Sequence, residues 1–201
     1  KIMKIIGITG GVGSGKSRVL SYIEEKYQGV ICQADHVAWK IQEPGQEGHR
    51  QIVETFGADI LNEDQTINRK ALGQIVFRDE KKLLVLNAIM HPSVKVAIKK
   101  AIREEQEKGT ELFVLEAALL IEEHYDEICD ELWYIYTDEK IRRERLKDSR
   151  QYSDEKIDAI MATQLPEEVF RKECQRVIEN SGNFGITAKQ IDDAIEQLGE
   201  R

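Results

Sequence analysis

No apolar run in this chain of 201 residues approaches the ~20 residues that would span a bilayer, so a membrane role is not expected. Cysteine is scarce. The three copies, Cys32, Cys129 and Cys174, are an odd number without C-x-x-C spacing, and each sits beside apolar residues; they read as reduced, mostly buried thiols rather than a disulfide framework or a ligand cluster. A positive charge balance is also lacking. The formal net charge of -8 argues against broad, sequence-independent binding to nucleic acid, which needs a basic surface, although an anionic ligand requires only that lysines and arginines be concentrated locally. There is no internal repeat and no low-complexity tract. The strand pattern starts at Met3, the expected natural start, which leaves no room for a signal or transit peptide and makes the cytoplasm the expected location.

What is present describes a globular chain, 41% hydrophobic and 33% charged, long enough for one well-buried domain with small insertions. Met3 to Thr9 reads as a buried strand, and Lys16 to Tyr27 as a helix with Val19, Leu20 and Ile23 turned inward. A second strand, Gly29 to Cys32, ends at Gln33-Ala34-Asp35; His36 to Ile41 looks helical, and Glu43-Pro44-Gly45 breaks it. From Gln46 to Lys108 the pattern is almost wholly helical, with Val94, Ile98, Ala101 and Ile102 on one face. Leu112 to Glu116 and Leu132 to Tyr136 are the most strand-like runs of the second half, with a weaker one at Arg176 to Ile178. Asp138 is placed to cap a basic helix carrying Arg142, Arg143, Arg145 and Lys147, Ser153 to cap another, and Thr187 with Gln190 to form a capping box before Ile191. Strands of near-continuous apolar character separated by helices indicate an α/β fold of three layers, with a parallel sheet of five strands covered on both faces and a helical insertion.

One stretch carries chemistry. Gly10-Gly11-Val12-Gly13-Ser14-Gly15-Lys16-Ser17 matches the P-loop pattern G-x-x-x-x-G-K-[ST] and lies between a predicted strand and a predicted helix, the context the pattern needs. Glycines at 10, 11, 13 and 15 allow backbone angles closed to residues with a Cβ, so successive N–H groups can converge on phosphate oxygens. The following helix adds its positive end, Lys16 reaches the β- and γ-phosphates, and the Ser17 hydroxyl is placed to ligate Mg²⁺. Arg18 follows directly and joins the expected ATP-binding set. Neither the N-K-x-D nor the D-x-x-G signature of GTPases occurs in the chain. Phosphoryl transfer to a small acceptor remains as the leading reading, beside a nucleoside monophosphate or other metabolite kinase and a regulatory nucleotide-binding module.

Ile8 to Ser17, Gln33-Ala34-Asp35, Glu43-Pro44-Gly45, Phe56-Gly57, Asn68-Arg69-x-x-Leu72, His91-Pro92, Leu119-Leu120-x-Glu122 and Val177 to Gly182 together resemble the dephospho-CoA kinase family, in the family's order and over nearly the whole chain. The resemblance implies transfer of the ATP γ-phosphoryl group to the ribose 3′-hydroxyl of dephospho-CoA. It also implies a nucleotide-binding core (1–37, 110–137 and 166–201), a helical acceptor-binding domain (38–109) and a small helical lid (138–165), acting as a monomer or weak homo-oligomer. Asp35 falls on the family's general base, with Gln33 in place of the first Asp of an Asp-Ala-Asp segment; its other reading is an N-cap. Glu116 aligns with an acidic position that would help Ser17 hold Mg²⁺, or is simply an acidic strand end, and two residues on Ala118 stands where the family usually has Pro. Arg69, His91 and Pro92 would line the acceptor side, although Pro92 also suits the first position of a helix capped by His91. The family's lid has an arginine pair four residues apart. Here Arg145 is followed by Ser149, so Arg150 is the expected second member. Asn180 is carried over as an adenine-side loop residue.

Overall fold

The computed structural model describes residues 2–200; Lys1 and Arg201, the two ends of the expected core, lie outside the described residues. The chain forms two compact units, one comprising the residues up to Cys32 and from Glu105 onward, the other Gln33–Glu104.

The first unit holds a five-stranded parallel sheet in the order β2-β3-β1-β4-β5, formed by β1 (Lys4–Thr9), β2 (Val30–Gln33), β3 (Leu112–Glu116), β4 (Glu131–Tyr136) and β5 (Arg176–Glu179). β1 is central, with Ile8 opposite Glu116 of β3 and Thr9 opposite Tyr134 of β4. Because helices cover such a sheet on both faces, both alternating sets of strand side chains are buried, which is why the strands read as unbroken apolar runs. α1 (Lys16–Tyr27) and α9 (Phe184–Gly199) bring Val19, Leu20, Ile23, Ile191, Ala194 and Leu198 against Ile6, Ile8, Trp133 and Ile135. Burying each of the larger apolar side chains contributes about 1.5–3 kcal/mol. This unit also holds α6 (Glu139–Arg150), α7 (Asp154–Ala162) and α8 (Glu167–Glu173). α6 and α7, which cover most of the expected lid, fall within this unit.

The starts of α9 and α2 differ from the sequence expectation for physical reasons. α9 starts at Phe184 behind an Asn183 cap, whose Oδ1 accepts from the Gly185 N–H at 2.7 Å, and not behind Thr187. Thr187 and Gln190 instead tie the helix to the end of β5: Thr187 Oγ1 lies 3.1 Å from the Glu179 carbonyl, and Gln190 Oε1 accepts from the Glu179 N–H at 2.9 Å. α2 (Ala34–Ile41) begins two residues earlier than expected, with Gln33 as its extended leading residue. Asp35 is therefore the second residue of the helix and not its N-cap, a place where the helix dipole favours a carboxylate.

The second unit is helical, built from α2, α3 (Glu47–Phe56), α4 (Arg69–Arg78) and most of α5 (Glu80–Lys108). Ile52, Ile60, Leu72, Val76, Met90, Val94 and Ile98 are buried. α5 does not start at Pro92. It starts at Glu80, where the Asp79 carboxylate accepts from the Lys81 and Lys82 N–H groups at 3.0 and 3.3 Å. Pro92 lies inside it, where its ring nitrogen has no hydrogen to give to the preceding turn.

Among the described residues no helix is long and apolar enough to cross a membrane. The three cysteines carry free thiols, and burial pushes them up, Cys32 to about 11 and Cys129 and Cys174 to about 12.

A polar bracket joins α1 to α9 and has a pH signature. The Asp192 carboxylate accepts from Tyr22, Lys26 and Tyr27 at 2.9, 2.8 and 2.6 Å. Burial alone would push that carboxyl up, but hydrogen bonds from Lys26, Tyr27 and Tyr22 hold it below the usual range. Its stabilising contribution is therefore present above the ordinary carboxylate value of ~4 and lost as pH falls through the lower folded value. Lys26 is raised by the hydrogen bond to Asp192 and then by the one to Tyr22, so its contribution is lost only at strongly alkaline pH. Urea midpoints of the protein and of Asp192→Asn should differ at pH 7 and converge on acidification below pH ~4; a difference that persists unchanged in acid would show that the carboxylate is not the source.

Candidate active site

The glycine loop leaves β1 at Gly10 and enters α1 at Lys16. A Cβ at Gly10 would sit 2.5 Å from the Ile135 carbonyl oxygen, so the loop can follow the sheet closely only without one. Gly15 has φ 82°, and a Cβ there would also lie 2.5 Å from Asn180 Nδ2. Among the described residues no side chain caps the start of α1, and the Arg18 N–H donates to the Gly15 carbonyl at 3.2 Å; a helix start without a capping side chain suits an anion. Lys16 Nζ lies back over the loop, donating to the Gly10 carbonyl at 2.8 Å and to that of Gly11 at 3.4 Å. Ser14 Oγ is buried without a hydrogen-bond partner among the described residues, and Ser17 and Arg18 are exposed at the start of α1. Arg18 stacks on Phe184, its Cζ 4.1 Å from the ring centroid. Glu116 ends β3 in register with Ile8, which places its carboxylate at the same edge of the sheet as the loop.

Gly15→Ala is expected to cost about 1–3 kcal/mol, from left-handed strain and the clash with Asn180 together. The measurement is a lowered melting temperature accompanied by weaker ATP binding; an unshifted melt would mean that the loop tolerates a Cβ there.

The basic helix α6 contributes more to this loop than its expected members. Arg145 donates to the Asn180 carbonyl at 2.9 Å and the Gly13 carbonyl at 3.4 Å. Arg142 Nε donates to the Thr137 carbonyl at 3.1 Å, and its guanidinium lies where a Cβ on Gly11 would project. Gln164 Oε1 accepts from the Val12 N–H at 3.3 Å. Arg150 is not brought to the loop. It is exposed, 5.8 Å from the Tyr152 ring. The reason is helical phase: position 149 shares a face with Arg145 and position 150 does not, and Ser149 Oγ indeed donates to the Arg145 carbonyl at 2.6 Å. The same spacing, applied three residues the other way, could have singled out Arg142. Gln164 and Thr137 carry no signal in the sequence alone. Asn180 is buried and acts as a brace, its Nδ2 donating to the Ser14 carbonyl at 2.8 Å and its Oδ1 accepting from Thr187 at 2.9 Å. Beside the loop an open cavity of about 490 Å³ is lined by Gly11, Tyr134, Tyr136, Arg142, Gln164 and Phe170.

In the second unit Asp35 is exposed in the first turn of α2. Arg69 opens α4 behind Asn68, whose Oδ1 accepts from the Ala71 N–H at 3.0 Å, and its guanidinium lies 4.8 Å from the Trp39 ring centroid. His91 is half-buried midway along α5, and Pro92 lines a cavity of about 630 Å³ with Val37, Lys40, Ile41 and Val96.

A central parallel strand, a glycine loop with two positive-φ glycines and a Lys-Ser pair opening the next helix define a P-loop phosphotransferase of the α/β class. The family model for dephospho-CoA kinase matches residues 4–185, and the chain belongs to that family. A dephospho-CoA kinase from Carboxydothermus hydrogenoformans is 39% identical over 94% of this chain and 92% of its own length. Among solved structures, TT1252 from Thermus thermophilus superposes with a TM-score of 0.81 at 26% identity, over 98% of this chain and 99% of that one. Dephospho-CoA kinase from Campylobacter jejuni shares the fold with a TM-score of 0.72 at 22% identity, over 98% and 97%.

Proposed function

We propose that the protein transfers the γ-phosphoryl group of ATP to the ribose 3′-hydroxyl of dephospho-CoA, giving CoA and ADP, the last step of CoA biosynthesis. The observation that carries this reading is the Gly10–Ser17 loop with Lys16 lying on it, in a chain whose family match extends from residue 4 to 185 and so takes in Asp35, Arg69 and His91.

The loop amides and Arg18 hold the triphosphate, and Lys16 turns from the Gly10 carbonyl onto the β- and γ-phosphates. Arg69 pairs with the pyrophosphate of the acceptor through its planar fork of donors. The 3′-oxygen attacks the γ-phosphorus in line as the bond to the bridging oxygen breaks. Asp35 accepts the hydroxyl proton, while Arg142 and Arg145 balance charge at the loop. Among the described residues no cluster of three or more His, Cys, Asp or Glu side chains could hold a metal. Mg²⁺ keeps several waters and substrate phosphate oxygens and needs one or two protein ligands; Ser17 and Glu116 would supply them. When bound, Mg²⁺ neutralises charge on the transferring phosphates. Three unpaired cysteines suit a reducing compartment, and we place the enzyme in the cytoplasm.

The test is a coupled assay of ADP release with ATP, Mg²⁺ and dephospho-CoA, compared with adenosine, AMP and no acceptor. Release that depends on dephospho-CoA is the expected result. A rate indifferent to dephospho-CoA ends the proposal.

A further inference from the structure

The chain has two tryptophans, placed in opposite ways: Trp133 is fully buried, whereas Trp39 on α2 keeps 50% of its surface exposed. Its indole is nevertheless held in place. The Arg69 guanidinium lies over the ring, 4.8 Å from its centroid, a cation–π contact that fixes the ring plane. His36 is the other aromatic neighbour, with its centroid 5.3 Å away and its ring tilted by 33°, looser than an offset stack. His36 is itself exposed and able to turn aside. A half-exposed indole held by a cation, with an exposed, tilted ring beside it, is a surface on which a flat heterocycle can lie.

Its position along α2 says which heterocycle. Trp39 follows Asp35 by four residues, so the two side chains share a helix face with Cβ atoms about 5–6 Å apart. A purine lying on the indole has its own ribose about that far from the ring, which brings the sugar hydroxyl to the Asp35 carboxylate. Arg69, already against the indole, is then beside the sugar's phosphates. We propose that Trp39 is the stacking platform for the adenine of the acceptor, orienting the ribose 3′-hydroxyl toward Asp35. This rests on the acceptor assignment made above.

Two measurements test it. Trp39→Ala should raise KM for dephospho-CoA by roughly 5- to 150-fold, the loss of one base–aromatic stack, with KM for ATP changed by less than about twofold; Trp39→Phe should recover most of the loss. In the wild-type protein dephospho-CoA should quench indole fluorescence and 4′-phosphopantetheine, which lacks adenine, should not; the signal left in Trp39→Phe, that of Trp133, should not respond. An unchanged KM for dephospho-CoA in a folded Trp39→Ala protein, or equal quenching by 4′-phosphopantetheine, overturns the platform. Should Trp39→Ala fail to fold, the wild-type fluorescence decides alone. The acceptor assignment fails separately, through ADP release by the wild-type enzyme that ignores dephospho-CoA.

Discussion

Replacing Lys16 by methionine should lower kcat by about 10²- to 10³-fold, the range found when one preorganised donor to a developing negative charge is removed, while the melting temperature hardly moves. The split follows from where the ammonium sits. Among its partners are the carbonyls of Gly10 and Gly11 at 2.8 and 3.4 Å, on a side chain that is only partly buried, and losing these two bonds costs about 1 kcal/mol. Methionine keeps the length and the apolar stem, so the loop geometry set by Gly13 and Gly15 survives. On the proposed mechanism the same charge faces the phosphate oxygens as charge moves across them, and there its removal is felt in full. Single-turnover rates with saturating ATP separate this from weaker nucleotide binding. A variant with kcat within about threefold of the parent would mean that Lys16 only covers the loop.

The glycine loop was legible in the sequence because its residue choice is steric: a Cβ at Gly10 meets the Ile135 carbonyl oxygen at 2.5 Å, and only glycine avoids that. The strands were legible because burial on both faces leaves an unbroken apolar run, and β3 was read to the residue. Misreadings arose where one local pattern serves two ends. Thr187 and Gln190 have the spacing of a capping box, but their side chains reach back to β5 at Glu179, and only the tertiary structure says which carbonyl they meet. Pro92 likewise has the chemistry of a helix start, and tertiary packing carries α5 through it. Arg142 and Arg150 show the same limit from another side. Both belong to one charge run, and helical phase about Arg145 selects the first, through its contact with Thr137 and the glycine loop. Trp39 was silent in the sequence, since a lone tryptophan at that spacing reads as core, and its exposure beside Arg69 emerges only once the second unit is folded.

Asp35→Asn should leave KM for ATP within about threefold and lower kcat by about 10²-fold, nearer the bottom than the top of the 10²–10⁴ range for general acid–base catalysis. The low end follows from the reaction type. A loose, metaphosphate-like transition state has little bonding to the incoming oxygen, so the hydroxyl proton is lost late and its acceptor stabilises only part of the developing charge. The substitution is close to isosteric, and Asp35 is exposed at the second position of α2. Its structural cost is therefore confined to the helix-dipole contribution, about 0.3–1 kcal/mol, and a melting curve should barely register it. Asparagine still places an oxygen and an amide where the carboxylate stood, so it can orient the 3′-hydroxyl but cannot take the proton. The size of the effect thus discriminates between the two roles. A hundredfold loss in kcat with both KM values preserved assigns proton acceptance to Asp35, whereas a loss under about tenfold assigns it orientation alone and moves the proton to water or to the transferring phosphoryl group itself.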